Sequence, residues 1–319
     1  MNEALQAGRG SPRVSIGMAI YNEEKFLRQA LDSLLAQDYA DFELIISDNA
    51  SEDATEQICL EYAARDPRVR YHRNETNVGS GENFNRVFRL SCGEYFMWAA
   101  GHDLWAPTFI SRCVGVLEKD PSVVLCYPLT QYIDTTGKQL SVVGSNLDTR
   151  NCTLLGRFNL AVWEGRTGFI IYGVIRSNSL RQTRLFRKVW GPDILLLTEL
   201  SLLGSFANIP ETLFYGRDNW GEKAGPNTSN WETAYLERLF PGKKNRFVRF
   251  FPHAGIAYEQ LLGVMHARLG FRAKIPLITF VVLGWLYKSL PLILRRPLRG
   301  FLRRLLRIIS VPSRSGQLG

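Results

Sequence analysis

The sequence predicts an α/β fold built on a mostly parallel sheet with helices on both faces. Short apolar segments alternate with segments of helical periodicity over about the first hundred residues. The apolar segments are almost continuous rather than alternating, which is typical of strands buried on both faces. A polar cluster follows three of them directly, at 21–24, 48–53 and 101–103. Because ligands bind at the carboxyl ends of such strands, we expect the three clusters to open onto one crevice.

The elements of the first part follow one another at βαβ intervals. Asn22 is a residue type that caps helices, and Leu27, Leu31 and Leu34 repeat at helical spacing after it. The sequence therefore predicts a helix that begins near Asn22. The other predicted elements are strands at Val14–Ile20, Phe42–Ser47, Val69–Arg73 and Tyr95–Ala99, and helices at Asp53–Arg65 and Glu82–Leu90.

The pattern is weaker in the second part of the chain. We predict a strand at Gly168–Ile175 and a strongly apolar helix at Asp193–Leu203. Gly204 follows that helix, at a position where glycine commonly ends helices. Two short strands, Phe206–Ile209 and Leu213–Gly216, are predicted on either side of a turn at Pro210.

Composition limits the classes of protein to consider. Of 319 residues, 45% are hydrophobic, which is enough for a sizeable core. The five cysteines form no C-x-x-C pair, which argues against a disulfide framework or a zinc ribbon and favours a reducing compartment. The N-terminus has no signal-peptide pattern, so we expect a cytoplasmic protein.

The net charge of +9 is unevenly distributed along the chain. No acidic residue follows Glu259, whereas eleven lysines and arginines lie between Arg268 and Arg314, so residues 1–259 carry a net charge of −2. A segment with this slightly negative net charge is not expected to bind nucleic acid. The basic charge belongs to the C-terminal tail.

The tail has the composition of a membrane-surface segment. Ile275–Leu294 contains one charge, Lys288, and is interrupted by prolines, so an interfacial or partly inserted helix is favoured over a span. An apolar stripe with arginines beside it follows at 298–309, as in helices that lie on anionic leaflets. We expect peripheral attachment to the cytoplasmic face of the membrane through the tail. Packing of Ile275–Leu294 on the catalytic domain or on a partner subunit is the alternative.

Three segments together resemble the family 2 glycosyltransferases of the GT-A fold. They are VSIGMAIYNEEKFLRQALDSLLAQDYADFELIISDNASEDAT at 14–55, NVGSGENFN at 77–85 and GEYFMWAAGHDLWAP at 93–107. The resemblance is strong over 13–127, thinner to about 217 and absent beyond. It implies a GT-A catalytic domain at 13–220, divided into a nucleotide-sugar half at 13–127 and an acceptor half at 128–220. A helical extension at 221–319 follows. The polar, glycine-containing residues 1–12 before the catalytic domain are interpreted as a disordered lead.

The resemblance implies the transfer of a sugar from a nucleotide-diphosphate sugar to an acceptor hydroxyl, with inversion. The acceptor would be a glycan, lipid-linked or other, in the synthesis of a surface glycan or glycolipid. The position of Asp48 is the one that usually contacts the base in this family. The residues that match the nucleotide-sugar site are Ala19, Tyr21, Glu23, Asp48, Asp53, Asn83 and His102.

The resemblance also implies a divalent cation, Mn²⁺ or Mg²⁺, with Asp103 as its protein ligand. Such a cation offsets the negative charge that develops on the diphosphate leaving group. His102 stands where an aspartate is usual, and imidazole is a poor ligand for Mg²⁺. Three roles are open for His102: contact with ribose or phosphate, contact with the metal, or a structural place in the turn.

Asp193 matches the general base that takes the proton of the acceptor hydroxyl. In this family an acidic pair begins a helix that ends in glycine eleven residues later, and Asp193 and Gly204 have this spacing. Pro192 stands in place of the first acid of the pair. The competing interpretation is that Asp193 only caps its helix.

Two other functions remain as alternatives. A nucleotidyltransferase that makes sugar nucleotides would be expected to carry a Gly-rich, basic phosphate loop after the first strand, where this chain has AIYNEEKF. A degenerate glycosyltransferase that serves as a binding or scaffold module is suggested only by His102 and Pro192.

Overall fold

The computed structural model describes residues 11–143, 147–164, 169–189, 191–218 and 252–289. Its strands form one mixed sheet in the order β3-β2-β1-β4-β8-β6-β9-β5, with β7 paired to β6. The strands are β1 Val14–Ile20, β2 Phe42–Asp48, β3 Val69–Arg73, β4 Tyr95–Ala99, β5 Leu104–Trp105, β6 Val123–Ile133, β7 Gln139–Val143, β8 Val174–Arg176 and β9 Ser205–Arg217.

Helices cover the sheet and extend beyond it. They are α1 Leu27–Leu35, α2 Thr55–Arg65, α3 Ser80–Arg89, α4 Phe109–Lys119, α5 Leu154–Glu164, α6 Ser177–Leu180, α7 Pro192–Leu203, α8 Pro252–His266 and α9 Phe271–Ser289. Within the described ranges, no helix has both the length and the apolar character needed to cross a bilayer.

The directions of the strands show which edge of the sheet holds their carboxyl ends. β1 runs parallel to β2 and β4, and β2 runs parallel to β3. β8 is antiparallel to both β4 and β6, while β6 and β9 are parallel to each other. The long strands therefore all end at the same edge of the sheet, which confirms the α/β class and its mostly parallel sheet.

Two apolar clusters lie on opposite faces of the sheet. One joins β1 and β2 to helices α1, α2 and α4, and the other joins β4 and β6 to helices α3, α5 and α7. A third cluster packs α8 and α9 against α5 and α7, through side chains that include Phe158, Leu202, Val264, Leu277 and Phe280. The described part of the C-terminal extension thus shares a core with α5 and α7.

Three predicted elements differ from the structure. The first helix begins at Leu27 because Asn22 has a positive φ of 52° and lies in a turn. In place of a strand at Gly168–Ile175, the described part of that range forms the 3₁₀ helix Ile170–Tyr172 and the beginning of β8. The two short strands predicted around Pro210 are one continuous strand, β9. Its pairing with β6 is irregular at this point, since Pro128 pairs with Ile209 and the next residue, Leu129, pairs with Thr212. Pro210 falls in this irregularity, where a missing N–H is tolerated.

Part of the predicted organisation lies outside the described residues. This applies to most of the lead at 1–12, to 219–251, and to the amphipathic segment at 298–309. Of the apolar run Ile275–Leu294, the structure describes the part as far as Ser289, within α9.

Gly204 joins α7 to β9 in an extended conformation, with φ −174°. Gly204 ends α7, as the sequence predicts, but in an extended rather than the left-handed conformation that is common for a helix-ending glycine. A Cβ at this position would lie 2.2 Å from Val124 Cγ1 and 2.6 Å from the Ser122 carbonyl oxygen. Glycine is needed here because the backbone passes too close to β6 for any side chain.

We expect Gly204→Ala to lower the free energy of unfolding by about 1–3 kcal/mol, the usual cost of overpacking. Chemical denaturation measures this change. Gly115→Ala is the matched control, because a Cβ on Gly115 within α4 meets nothing within 4 Å. The control is expected to be neutral or to stabilise the helix by up to about 1 kcal/mol. Equal stabilities for the two variants would contradict the close approach at Gly204.

Candidate functional site at the carboxyl edge of the sheet

The structure brings the three predicted polar clusters together. The Asn22 backbone N–H donates to Ser51 Oγ at 2.9 Å, and Asn22 Oδ1 accepts from the Glu52 N–H. The Glu23 N–H donates to Thr55 Oγ1, so the turn after β1 is joined to the turn after β2. Glu23 also reaches the cluster after β4, where both of its carboxylate oxygens lie 3.2 Å from His102 Nδ1.

Asp48 lies at the end of β2 and is fully buried. Its Oδ1 accepts from the Ser51 N–H at 2.9 Å and from the Ser51 hydroxyl. Its Oδ2 accepts from Tyr71 at 2.9 Å and from Arg73 at 2.7 Å. Burial, followed by the hydrogen bond to this carboxylate, raises the pKa of Tyr71. The carboxylate thus holds the ends of β2 and β3 together, and a base contact would require one of these partners to move.

Asn83 is also an internal hydrogen-bonding centre. It lies in α3, is buried, and donates from Nδ2 to the Ser47 carbonyl oxygen at 2.9 Å. Its Oδ1 accepts from the Ser47 hydroxyl at 2.7 Å and from Asn74. Asn83 therefore fixes the carboxyl end of β2 from the face that α3 covers.

The remaining predicted nucleotide contacts line the turns after β1 and β2. Ala19 is partly buried in β1, and Tyr21, with 42% of its surface exposed, faces solvent directly after that strand. Asp53 accepts from the Glu24 N–H through Oδ2 and from the Thr55 N–H through Oδ1. Of this group, the exposed Tyr21 is the side chain best placed to meet a ligand without rearrangement.

His102 and Asp103 form the turn between β4 and β5. Since a carboxylate only accepts, the hydrogen bond to Glu23 requires the His102 proton on Nδ1. His102 Nε2 lies 3.9 Å from Asp103 Oδ1. Gly101 makes this arrangement possible, because a Cβ there would lie 2.9 Å from Glu23 Cγ.

Arg217, at the end of β9, holds this turn in place and was not identified from the sequence. Its backbone N–H donates to Asp103 Oδ1 at 2.8 Å, and its Nε donates to the His102 carbonyl oxygen at 2.9 Å. The other guanidinium nitrogens donate to the carbonyls of Asp134 and Thr135 and to Gln29 Oε1. Burial lowers the pKa of Arg217, because removing the guanidinium from water disfavours its charged form. An arginine at the end of an apolar strand was the only sequence signal.

The donor atoms in this turn fit a cation that takes few protein ligands. Asp103 is nearly inaccessible, and its Oδ1 is oriented by Arg217. Among the described residues, no group of three or more acidic, histidine or cysteine side chains forms a metal cage. A single carboxylate beside an imidazole suits a divalent ion whose other ligands are phosphate oxygens and water, with Mn²⁺ favoured by the nitrogen donor.

Asp193 lies in the first turn of α7, after Pro192 and the positive-φ Gly191. Burial raises its pKa above the ordinary aspartate value, and nearby backbone N–H groups oppose that shift. A raised pKa brings a carboxylate closer to the range in which it takes a proton effectively. Gly191 occupies the N-cap position, so Asp193 does not cap α7, although a carboxylate in the first turn is favoured by the helix dipole. The position is compatible with the predicted base.

A buried ionic cluster connects α7 to the C-terminal helices. Arg184 donates from Nε to Glu199 Oε1 at 2.7 Å, in the middle of α7, and from Nη1 to Glu259 Oε2 at 2.8 Å, in α8. Gly263 lets α8 approach closely, since a Cβ there would lie 3.3 Å from Glu199 Oε1. Glu199 is thus used structurally, and the cluster fixes α8 to the helix that begins with Asp193.

Comparison with known proteins identifies the family. The sequence model of glycosyl transferase family 2 matches residues 15–174, half of the chain. The chain belongs to glycosyl transferase family 2. Uncharacterized proteins of Mycobacterium bovis and Mycobacterium tuberculosis are 31% identical over 236 residues, which cover 70% of this chain and 62% of theirs. An uncharacterized glycosyltransferase of Rickettsia typhi is 36% identical over 134 residues, 42% of this chain and 41% of that protein.

Solved structures share the GT-A fold. S. aureus TarS 1–349 in complex with UDP-GlcNAc superposes with a TM-score of 0.60 at 19% identity, over 85% of this chain and 71% of that one. The mannosyltransferase PcManGT from Pyrobaculum calidifontis, in complex with GDP-Man and Mn²⁺, gives a TM-score of 0.52 at 16% identity, over 86% of this chain and 81% of that one. These likenesses confirm the predicted fold type.

We expect Arg217→Lys to weaken both the fold and the site. A lysine keeps the charge but cannot reach all the acceptors that the guanidinium serves, and each unsatisfied buried acceptor costs about 1–3 kcal/mol. Thermal and chemical denaturation measure the loss of stability. The control is Arg112→Lys, because Arg112 pairs with Glu211 on the exposed surface, where an ion pair contributes at most about 1 kcal/mol. Similar losses in the two variants would show that Arg217 is not an anchor.

Proposed function

We propose that this protein transfers a sugar, with inversion, from a nucleotide-diphosphate sugar to an acceptor hydroxyl, using Mn²⁺ or Mg²⁺. The observation that carries the proposal is the turn after β4. There Asp103 is oriented by Arg217 and His102 is oriented by Glu23, in a chain of the glycosyltransferase family. The turns after β1 and β4 would supply the donor site.

The donor proposal is supported by the structural neighbours. TarS is described with UDP-GlcNAc and PcManGT with GDP-Man and Mn²⁺, so both neighbours bind nucleotide-diphosphate sugars. Tyr21, Glu23, Asp53 and His102 lie in or beside the turns after β1, β2 and β4 of this chain. With Nδ1 directed at Glu23, His102 places Nε2 3.9 Å from Asp103 Oδ1, beside the proposed cation site.

In the proposed reaction, Asp193 takes the proton of the acceptor hydroxyl as the oxygen attacks C1 of the donor sugar. The bond from C1 to the diphosphate breaks on the opposite face, and the nucleoside diphosphate leaves. A divalent cation on Asp103 would supply positive charge beside the diphosphate. Asp103 is held for this role by the Arg217 backbone N–H, and burial of Asp193 makes its carboxylate a stronger base than an exposed one.

We place the reaction at the cytoplasmic face of a membrane, with a glycolipid or a surface glycan as the acceptor. The support is the composition of the chain after Glu259, which has eleven basic residues and no acidic one. A scaffold function is the alternative, because His102 and Pro192 depart from the family pattern. Incubation with UDP- and GDP-sugars, Mn²⁺ and lipid acceptors distinguishes a transferase from a scaffold, since only a transferase releases a nucleoside diphosphate.

Asp103→Asn tests the cation ligand. The amide preserves the acceptor for the Arg217 N–H but carries no charge. We expect the Mn²⁺-dependent affinity for uridine or guanosine diphosphate, measured by titration calorimetry, to fall at least about tenfold. Even the loss of a residue that only hydrogen-bonds a metal ligand lowers metal affinity by about 10–100-fold. Turnover should be lost with it.

The control for this variant is Asp120→Asn, which removes an aspartate between α4 and β6, at the opposite edge of the sheet. It should bind the diphosphates as the parent protein does. Unchanged Mn²⁺-dependent binding in Asp103→Asn would remove Asp103 as the ligand.

Asp193→Asn tests the general base. We expect kcat to fall by about 10²–10⁴, the usual contribution of general-base catalysis, with little change in donor affinity. The stability of the variant adds a second readout. Because the pKa of Asp193 is raised on folding, the folded chain loses stability as the pH rises from the ordinary aspartate value of 3.8 through the folded-state pKa.

The asparagine variant should therefore be as stable as the parent at neutral pH, or more stable, and should lack this part of the pH dependence. Denaturation at a series of pH values measures it. Normal turnover combined with a lower melting temperature would show that Asp193 serves only to stabilise the first turn of α7.

A further inference from the structure

The outer face of α9 exposes apolar side chains along more than four turns. The most exposed is Phe271, at 77%, and Leu283, Ile275 and Leu286 follow at 50%, 48% and 47%. At 3.6 residues per turn, Phe271, Ile275, Val282 and Leu286 fall within about 60° of one another around the helix. We call Phe271, Ile275, Val282, Leu283, Trp285 and Leu286 the α9 outer face.

The opposite side of the same helix is already used. Leu277, Phe280 and Val281 are buried in the third apolar cluster, against Phe158 of α5 and Leu202 of α7. The helix is therefore apolar on both sides, with one side packed on the protein. A helix of this composition is covered on all sides in a stable state, because exposed apolar surface is unfavourable in water.

In the part of the chain that the structure describes, the charged side chains at the border of the α9 outer face are basic. Arg268 and Arg272 are exposed at the N-terminal end of the helix, and Lys274 lies in its first turn, where its ammonium donates to the Met265 carbonyl oxygen. The sequence has no acidic residue from here to Gly319. The surface thus combines an apolar strip with a basic border.

This combination decides between the possible occupants. In a symmetric contact between two copies, the same strip of each copy would be buried, and its basic residues would meet no acidic side chain of the facing strip. An anionic lipid surface offers hydrocarbon to the strip and negative charge to the border. Trp285 fits the same environment, because tryptophan favours the boundary between headgroups and acyl chains.

We propose that the α9 outer face docks flat on an anionic lipid bilayer. The helix does not cross the bilayer, because its inner face remains in the protein core. Phe271, Ile275 and Leu286 would enter the boundary of headgroups and acyl chains to a depth of about 5–10 Å, as interfacial helices do. This docking depends on α9 and not on the chemistry of the crevice, so its test needs no sugar donor.

Docking through α9 would also orient the catalytic domain. The third cluster and the Arg184–Glu199–Glu259 contacts connect α8 and α9 to α7, whose first turn holds Asp193. The helix that carries the proposed base is thereby part of the assembly that rests on the membrane. An acceptor presented by the membrane would approach from that side.

The test is flotation of the full-length chain with two kinds of vesicle, phosphatidylcholine alone and phosphatidylcholine mixed with phosphatidylglycerol. We expect flotation with the anionic vesicles, weaker at high salt because the charge is screened. In the variant Ile275→Glu/Leu286→Glu, the partition coefficient should fall about tenfold or more, since charged side chains are costly in hydrocarbon.

The matched control is Leu60→Glu/Val142→Glu, which makes the same kind of change at exposed positions of α2 and β7. It should float as the parent does. Ile275→Ala/Leu286→Ala removes apolar area without adding charge and should weaken flotation in the same direction but by less, so the result does not depend on tolerance of the glutamates.

Two outcomes would overturn the proposal. If the glutamate pair at 275 and 286 floats as well as the parent, the α9 outer face does not contact lipid. If the parent stays at the bottom with anionic vesicles and elutes from size exclusion as a dimer that the same pair dissociates, a second copy covers this face.

Discussion

The guanidinium of Arg217 is the contact on which the functional edge of the sheet depends. It joins the end of β9 to the turn after β4, to the end of β6 and to α1, through four acceptors that come from three separate parts of the chain. Its flat face also lies over the ring of Phe26, 4.3 Å from the centroid. A buried cation is costly unless its donors are satisfied, so the geometry of these acceptors is tightly constrained. The orientation of Asp103 follows from that constraint.

The carboxyl edge uses its acidic residues in two different ways. Asp48 is enclosed and accepts hydrogen bonds from Ser51, Tyr71 and Arg73, which keeps two neighbouring strands in register. Asp103 accepts the Arg217 N–H on Oδ1 and lies beside the His102 imidazole. The first arrangement stabilises the frame, and the second brings a carboxylate and an imidazole together in the turn where we propose the cation site.

Helix α7 connects this edge to the rest of the molecule. Its first turn holds Asp193, its middle carries Glu199 in the ion cluster with Arg184, and its end packs Leu202 into the third apolar cluster. The described part of the extension, α8 and α9, therefore packs into the same core as α7 and is not an appended tail.

The sequence by itself determined the parallel part of the sheet and the order of its polar turns. Continuous apolar runs specified β1, β2 and β4, because burial on both faces selects such runs, and the run of motifs from Tyr21 to Asp103 specified the family. Local sequence could not show why glycine is required at 204, because the reason is the close approach of the backbone to β6. It also could not show that β9 continues through Pro210, because that depends on an irregular pairing with β6. It could not identify Arg217 or distinguish Asp48 from Asp103. Those roles depend on which donors the tertiary structure brings to each carboxylate from residues distant in the chain.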